Sequence, residues 1–225
     1  MWAFGKLTVF ERILWIASLI VVTLSFVLSP NKDYLTLIAS LIGVTALIFV
    51  AKGFVLGQIL SVVFAVFYGI ISVYFRYYGE MITYLFITTP MAIAAMVEWI
   101  KNPYKDTKEV TVKKITKREI ARIIIVGVMV TIAFYFILKA LDTANLVFST
   151  LSITTSFVAS YLTKLRSAYY GIAYGANDIV LIILWILATI QNIAYLPMVF
   201  CFIMFLINDI YGFINWKRIE NRQKQ

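Results

Sequence analysis

The amino-acid sequence predicts an all-α integral membrane protein with eight transmembrane helices. Hydrophobic residues make up 62% of the 225 residues, charged residues make up only 14%, and the mean hydropathy is +0.91. A soluble domain is roughly 45–50% apolar and about 25% charged. Apolar runs of about 16–24 residues recur along the whole chain, which is the length that a helix needs to cross a bilayer. These runs leave no stretch for a soluble domain.

The first apolar run follows residues 1–12, whose mixture of aromatic and basic side chains is typical of a membrane interface. A cleaved signal peptide is the alternative reading of this run. Its exit, SFVLSPNKD, lacks a small-x-small cleavage pattern, so we predict a retained helix. The eight predicted spans are Ile13–Leu28, Tyr34–Val50, Phe54–Phe75, Met81–Ile100, Ile120–Leu138, Asn145–Leu162, Ala168–Ile190 and Asn192–Asn215.

The distribution of basic residues predicts the orientation of the chain. Of the 20 Lys and Arg residues, only Lys32, Arg76 and Lys139 fall on one side of the predicted membrane. The other 17 fall on the side that holds both termini, and by the positive-inside rule this side is cytoplasmic. The net charge of +9 is therefore explained by topology, and no nucleic-acid partner is predicted.

Two stretches of the chain resemble each other, residues 34–101 (block one) and 148–218 (block two). Each contains a helix, a short basic turn, a second helix, a short turn, and a third helix that ends in Trp near Lys. A single helix between the blocks returns the chain to its starting side. The blocks are therefore predicted to be parallel repeats that bind a substrate at their interface, near the midplane of the membrane. The single membrane domain then comprises an N-terminal helix (1–33), block one, a basic loop with a linker helix (102–147), block two and a tail (219–225).

Several classes of chemistry are excluded by composition. The chain has one cysteine and no histidine, which argues against a disulfide framework, a zinc or haem site, and a Ser/His or Cys/His nucleophile. We predict no enzymatic activity, no metal and no cofactor.

The strongest candidate for a substrate-binding residue is Asp178, which follows Asn177 inside an otherwise apolar run. A helix rising ~1.5 Å per residue from Ala168 places this carboxylate ~15 Å deep, where a charge is costly and marks a functional site. Tyr174 and Trp185 lie on the same helix face. Two aromatic rings and a carboxylate suit a flat, cationic or polyhydroxylated ligand. The alternative is a polar clamp between Asp178 and a Tyr or Asn of a neighbouring helix.

Weaker candidates lie in three other helices. Asn208 and Asp209 end the last apolar run, where the alternative is a helix-end cluster with Lys164, Arg166 or Lys217. Tyr68 and Tyr84 lie deeper than the aromatic residues 74–78, which are predicted to form an interfacial belt.

Taken together, these residues resemble the PnuC family of bacterial vitamin-precursor transporters over nearly all of the chain. The resemblance rests on the run YGE-M-x-x-x-L-F-x-x-x-P-M at Tyr78–Met91, on SFVASYLTKLRSAYYG at Ser156–Gly171, on AYGANDIVLIILW at Ala173–Trp185, and on Trp216-Lys217-Arg218. It implies a SWEET-like fold, with 3+1+3 helices around a central site and one additional N-terminal helix here. It also implies a multi-pass protein of the bacterial plasma membrane.

The resemblance implies facilitated diffusion of nicotinamide riboside or a similar nucleoside-like precursor, with a cytoplasmic kinase that traps the product as its phosphate. Family members that carry nicotinamide riboside tend to have Trp-x-x-x-Asn in the sixth core helix, where this chain has Tyr174 and Asp178. A Gln or Asn that is usual in the family is also replaced at Tyr84, Ala92 and Ser160. A deoxyribonucleoside or thiamine therefore stays open as the substrate, as do self-association and an ion-coupled mechanism that uses Asp178 or Asp209.

Overall fold

The computed structural model describes residues 3–30, 32–74 and 81–225, with side chains for all of these except residues 3 and 71–74. The predictions for residues 74–80, including Glu80 and the aromatic belt, fall outside the described side chains. The eight long helices of the described residues follow the predicted order of one helix, three helices, a linker helix and three helices, and this confirms the predicted fold class. They are α1 (Val9–Leu28), α2 (Tyr34–Ala51), α3 (Val55–Tyr74), α4 (Thr83–Lys101), α5 (Lys117–Ala140), α6 (Leu146–Lys164), α7 (Tyr170–Gln191) and α8 (Leu196–Arg222).

The lipid-facing character of these helices follows from their length and their exposed side chains. Among the described residues, seven helices are long and apolar enough to cross a membrane, and α3 has a shorter apolar stretch, Val55–Ile70. On α5, Met129 and Phe136 are 64% and 62% exposed in the isolated chain. An apolar surface of this extent requires lipid rather than water. The chain is a multi-pass membrane protein.

Two helices begin earlier than their apolar runs predicted. The Thr8 hydroxyl accepts a hydrogen bond from the Glu11 backbone N–H, and the Glu11 carboxylate accepts one from the Thr8 N–H. Thr116 and Glu119 form the same capping box before α5. These reciprocal bonds satisfy N–H groups that are unpaired in the first turn of a helix. Because this first turn is polar, a prediction from apolar runs places the start of the helix too late. At the other end of the chain, α8 continues to Arg222, so most of the predicted tail is helical.

The turns that follow α2 and α6 have the same hydrogen-bond pattern. In the first, Gly53 N–H donates to Val50 O and Phe54 N–H donates to Phe49 O; in the second, Arg166 N–H donates to Thr163 O and Ser167 N–H donates to Leu162 O. Gly53 and Arg166 each adopt a left-handed backbone, with φ of 70° and 58°. This geometry ends a helix by satisfying its last carbonyl groups.

Helix α4 widens ahead of its proline. Residues Thr83–Thr88 form a π-helical segment, and Thr89 donates both its backbone N–H and its hydroxyl to Tyr84 O. Pro90 has no N–H with which to continue the ordinary ladder, so the preceding turn accommodates an extra residue. The widened turn sets the direction of the Tyr84 side chain.

Helix α1 connects the two blocks. Glu11 is 1% exposed, accepts hydrogen bonds from Lys52 Nζ at 3.0 and 3.1 Å, and accepts another from the Tyr211 hydroxyl at 2.7 Å. Further along α1, Asn208 Nδ2 of α8 donates to Ser18 Oγ at 3.0 Å. Because Lys52 follows α2 whereas Tyr211 and Asn208 belong to α8, α1 lies across the contact between these two helices.

Candidate functional site

A cavity of about 100 Å³ lies at the centre of the six block helices. Neither α1 nor α5 contributes to its described lining, so the N-terminal helix and the linker helix lie outside it. Its polar lining residues are Gln58, Ser61, Tyr84, Thr88, Ser156, Ser160, Thr163, Tyr170, Tyr174, Asn177, Asp178 and Asp209.

Two carboxyl groups face each other in this cavity. Asp178 of α7 is 2% exposed, Asp209 of α8 is 3% exposed, and their side chains are within hydrogen-bonding reach. Among the described residues, no N–H or O–H group donates to Asp178 Oδ2. The neighbour of Asp178 is thus neither the Tyr nor the Asn that a simple polar clamp would use, and the carboxyl pair borders an open space.

The close approach of α7 and α8 depends on a glycine. A side chain at Gly171 would meet Asp209 O at 2.6 Å and Phe213 N at 2.7 Å. Only a residue without Cβ allows the two backbones to lie this near each other. The contact places the start of α7 beside the turn of α8 that carries Asp209.

The charge of the cavity is acidic and unbalanced. No Lys or Arg lines its described wall. The basic residues that were predicted to pair with Asp209 are engaged elsewhere. Arg166 Nη2 lies 3.6 Å from Glu98, Lys217 Nζ lies 3.1 Å from Glu220, and Lys164 Nζ lies 5.8 Å from the centroid of the Tyr161 ring. The helix-end cluster is therefore not formed.

The other residues predicted on α7 divide between two spaces. The Tyr174 hydroxyl lies 2.9 Å from Ser160 Oγ, at the wall of the central cavity. Asn177 accepts a hydrogen bond from Thr155 Oγ1 at 2.9 Å, and it borders both the central cavity and a second pocket. Trp185 lies in that second pocket, where its ring centroid is 5.7 Å from that of Tyr195.

The second pocket has a volume of about 490 Å³ and lies at the end of the bundle away from the chain termini. Tyr68 and Tyr84 lie at its inner wall, with ring centroids 4.6 Å apart. Six residues line both spaces, namely Tyr84, Thr88, Ser156, Asn177, Leu181 and Phe202. The two spaces are therefore neighbours that are separated by one layer of side chains.

Asn208 lies outside both spaces. Its amide group donates to Ser18 Oγ of α1 and to Met204 O, so it faces α1 whereas Asp209 faces the cavity. A polar stripe on α6 was overlooked by the sequence analysis. Ser156, Ser160 and Thr163 recur at spacings of four and three residues, which places them on one helix face and indicates a polar wall.

The end of the bundle near the chain termini, here called the basic end, is closed by two tryptophans. Trp99 and Trp216 are both fully buried, and their ring centroids are 5.2 Å apart. Trp99 Nε1 donates to Thr163 O of block two at 2.9 Å, and Trp216 Nε1 donates to Val50 O of block one at 2.8 Å. Each block thus donates to the same turn position of the other block.

Comparisons with known proteins agree along the whole chain. The model of the nicotinamide mononucleotide transporter family matches residues 33–218. The nicotinamide riboside transporter PnuC of Neisseria mucosa is 27% identical over 224 residues, which cover 97% of this chain and 85% of that protein. The PnuC protein of Haemophilus influenzae is 23% identical over 214 residues, covering 94% of this chain and 91% of that protein.

A solved structure has the same fold. The crystal structure of the vitamin B3 transporter PnuC superposes with a TM-score of 0.82 at 26% sequence identity, covering 97% of this chain and 95% of that chain. The expected resemblance to this family is confirmed.

Proposed function

Because the chain belongs to the nicotinamide mononucleotide transporter family, the PnuC family, we propose that it imports nicotinamide riboside or a similar nucleoside-like vitamin precursor. Both curated relatives named above are nicotinamide riboside transporters, and each aligns with more than nine tenths of this chain. The substrate class therefore comes from the relatives, and the cavity supplies an independent chemical argument.

The observation that carries the proposal is the buried carboxyl pair in a cavity without basic residues. Nicotinamide riboside has a positively charged pyridinium ring and a ribose diol. Asp178 and Asp209 together offer negative charge to the ring and hydrogen-bond acceptors to the diol. Tyr174 lies one helical turn before Asp178 and can present its ring to the cation.

The proposed binding residues form two groups. The first group lies in the central cavity and binds the substrate during transport; it comprises Tyr174, Asn177, Asp178 and Asp209. Trp185 and Tyr68 belong to the wider pocket, and Tyr84 lies at the shared wall. Ligand pockets are usually ~300–1,000 Å³, so the wider pocket receives the substrate and the central cavity expands to accept it.

The same cavity favours the dephosphorylated form of the substrate. A phosphate group is normally bound by Arg, Lys or a helix N-terminus, whereas the described cavity wall presents two carboxyl groups. A mononucleotide would bring its negative charge against them. We therefore propose facilitated diffusion of the riboside, followed by phosphorylation by a cytoplasmic kinase, which gives a product that the cavity rejects.

The proposed orientation places the basic end in the cytoplasm of a bacterium. The strongly basic stretch 101–122 and both termini lie at this end. The proposed parallel repeats, residues 34–101 and 148–218, are supported by the matching turns after α2 and α6 and by the reciprocal bonds of the two tryptophans.

A second candidate mechanism is coupling to an ion. Two carboxyl groups in contact bind a proton more readily than an isolated carboxylate does, and such groups serve as ion sites in many carriers. The experiment is uptake of radiolabelled nicotinamide riboside into proteoliposomes, with and without gradients of protons and sodium. Uptake that stops at equal concentrations and does not depend on either gradient supports facilitated diffusion. Accumulation of the substrate against its own gradient supports coupling to an ion. Uptake of radiolabelled thiamine or of a radiolabelled deoxyribonucleoside, together with no uptake of nicotinamide riboside, would reassign the substrate.

A further inference from the structure

Residues 102–116, here called the strap, cross the basic end of the bundle and hydrogen-bond to both blocks. Val110 N–H donates to Gly53 O at 2.8 Å, and Lys113 N–H donates to Arg166 O at 2.9 Å. Gly53 and Arg166 are the two left-handed residues at the matching turns after α2 and α6. One segment of backbone is therefore bonded to the same position of both blocks.

The strap also covers the tryptophan pair. Val110 is 1% exposed and packs in one apolar cluster with Trp99, Trp216 and Ile219. Gln223, which follows α8, holds this part of the strap in place. Its Nε2 donates to Val110 O at 3.0 Å, and its Oε1 accepts from Val112 N–H at 2.8 Å.

Opening of the basic end requires these contacts to break. The central cavity can reach the cytoplasm only if the Val50 and Thr163 turns separate, because each of them accepts a tryptophan N–H from the opposite block. Their separation would move Gly53 away from Arg166. When the two turns move apart, the strap cannot keep its hydrogen bonds to both of them.

We propose that the strap is a latch that holds the basic end closed, and that its detachment from the turn after α2 limits the rate at which the central cavity opens to the cytoplasm. The inference rests on the proposed transport function only where uptake is the measurement.

The test uses a locked strap and a loosened strap. Phe54 and Glu109 form an antiparallel bridge, a pairing whose Cα separation of about 4.5–5.5 Å lies within the range of a disulfide. The double substitution Phe54→Cys and Glu109→Cys is made in a Cys201→Ala background. On oxidation, the two new cysteines form a disulfide that fixes the strap to the first turn. Gln223→Ala loosens it by removing the two hydrogen bonds of this side chain to Val110 and Val112, while the ion pair between Arg222 and Glu109 remains.

The readout is an additional cysteine in the central cavity, Ala92→Cys, which is labelled by a membrane-impermeant thiol reagent in inside-out vesicles. Lys105→Cys, on the exposed part of the strap, verifies in separate vesicles that the basic end faces the reagent. We expect oxidation of the locked variant to slow labelling at position 92 about tenfold relative to its reduced form. We expect Gln223→Ala to accelerate labelling about fivefold, as the loss of an ordinary hydrogen bond would.

Equal labelling rates in the oxidised and reduced forms, with the disulfide verified by intact mass, would overturn the latch. If the double-cysteine variant fails to fold or to oxidise, an unchanged labelling rate at position 92 in Gln223→Ala would overturn the latch instead. Uptake of nicotinamide riboside is measured in parallel and should follow the labelling rate. Labelling that responds as expected in a protein without riboside uptake would refute the proposed substrate and leave the latch standing.

Discussion

The hydroxyl groups of Ser160 and Tyr174 lie 2.9 Å apart and join α6 to α7 at the wall of the central cavity. The sequence analysis predicted that both positions differ from the residues that are usual in the PnuC family, and the structure places the two side chains in contact. The hydrogen bond holds the hydroxyl end of the Tyr174 side chain, which lines the cavity.

We expect Tyr174→Ala to weaken substrate binding about tenfold, because the ring that contacts the cation is lost, and Tyr174→Phe to change it by less than about threefold. Isothermal titration calorimetry with nicotinamide riboside measures both. Ser160→Ala is the matched control, since it breaks the same hydrogen bond and leaves the ring in place. If Tyr174→Phe weakens binding as much as Tyr174→Ala does, the hydroxyl rather than the ring is the contact.

We expect Asp178→Asn to discriminate between substrates by charge. The substitution removes the negative charge and preserves the shape, so binding of cationic nicotinamide riboside should weaken about tenfold or more, as for a lost charge-assisted contact of about 1.5–3 kcal/mol. Binding of its neutral reduced form should be unchanged. Asp106→Asn, on the exposed strap, is the control. An equal loss of affinity for both substrates would show that Asp178 does not recognise the charge of the substrate.

Replacement of either tryptophan at the basic end should destabilise the protein by a similar amount. Trp99→Phe removes the side-chain hydrogen bond to Thr163 O, and Trp216→Phe removes the one to Val50 O. Each carbonyl keeps a backbone donor, Arg166 N–H or Gly53 N–H, so we expect the cost of one ordinary hydrogen bond, about 0.5–1.5 kcal/mol. Because the rings are in contact, the double substitution should cost measurably more or less than the sum of the single ones. Thermal unfolding of the purified protein in detergent provides the comparison. A single substitution without effect would show that the two hydrogen bonds are not equivalent.

Substitution of Asn208 should affect stability rather than binding. Asn208→Ala removes the hydrogen bond to Ser18 and should lower the free energy of unfolding by about 1–3 kcal/mol, while the affinity of the folded protein for substrate stays unchanged. Asp209→Asn is the variant for comparison, because the Asp209 side chain faces the cavity and its substitution should alter substrate binding. A loss of affinity in Asn208→Ala would place this amide in the site after all.

A side chain in the turn after α2 should destabilise the protein through its backbone conformation. Gly53 has φ of 70°, and a Cβ there would meet only ordinary contacts, the nearest at 3.7 Å from Val110 Cγ1. The cost of Gly53→Ala is therefore conformational, about 1–2 kcal/mol. Gly5→Ala is the control, because Gly5 has no neighbouring atom within 4 Å of an added Cβ and its φ is not positive. Equal melting temperatures for the two variants would contradict this account.

The sequence was sufficient for the number and order of the helices, because long apolar runs decide both. It was also sufficient to select Asp178, whose charge is out of place in such a run. It could not choose between Asn208 and Asp209. Neighbouring residues of a helix point about 100° apart, and only the packing of α8 against α1 and α7 decides which of them faces the cavity.

The contact between Asp178 and Asp209 could not be predicted either. The two residues are far apart in the chain, and their meeting depends on Gly171, which lets α7 approach the backbone of α8. A glycine allows two helices to approach closely, but the identity of the helix that approaches it depends on the relative rotation of the two helices.

The position of α1 makes the molecule mechanically asymmetric. The two blocks meet along two seams, one between α2 and α8 and the other between α4 and α6. Glu11 and Ser18 fasten the first seam from outside, whereas no additional helix of the described residues crosses the second. We therefore expect the α2–α8 side to act as the hinge and the blocks to separate along α4, where Pro90 and the widened turn before it already interrupt the regular helix.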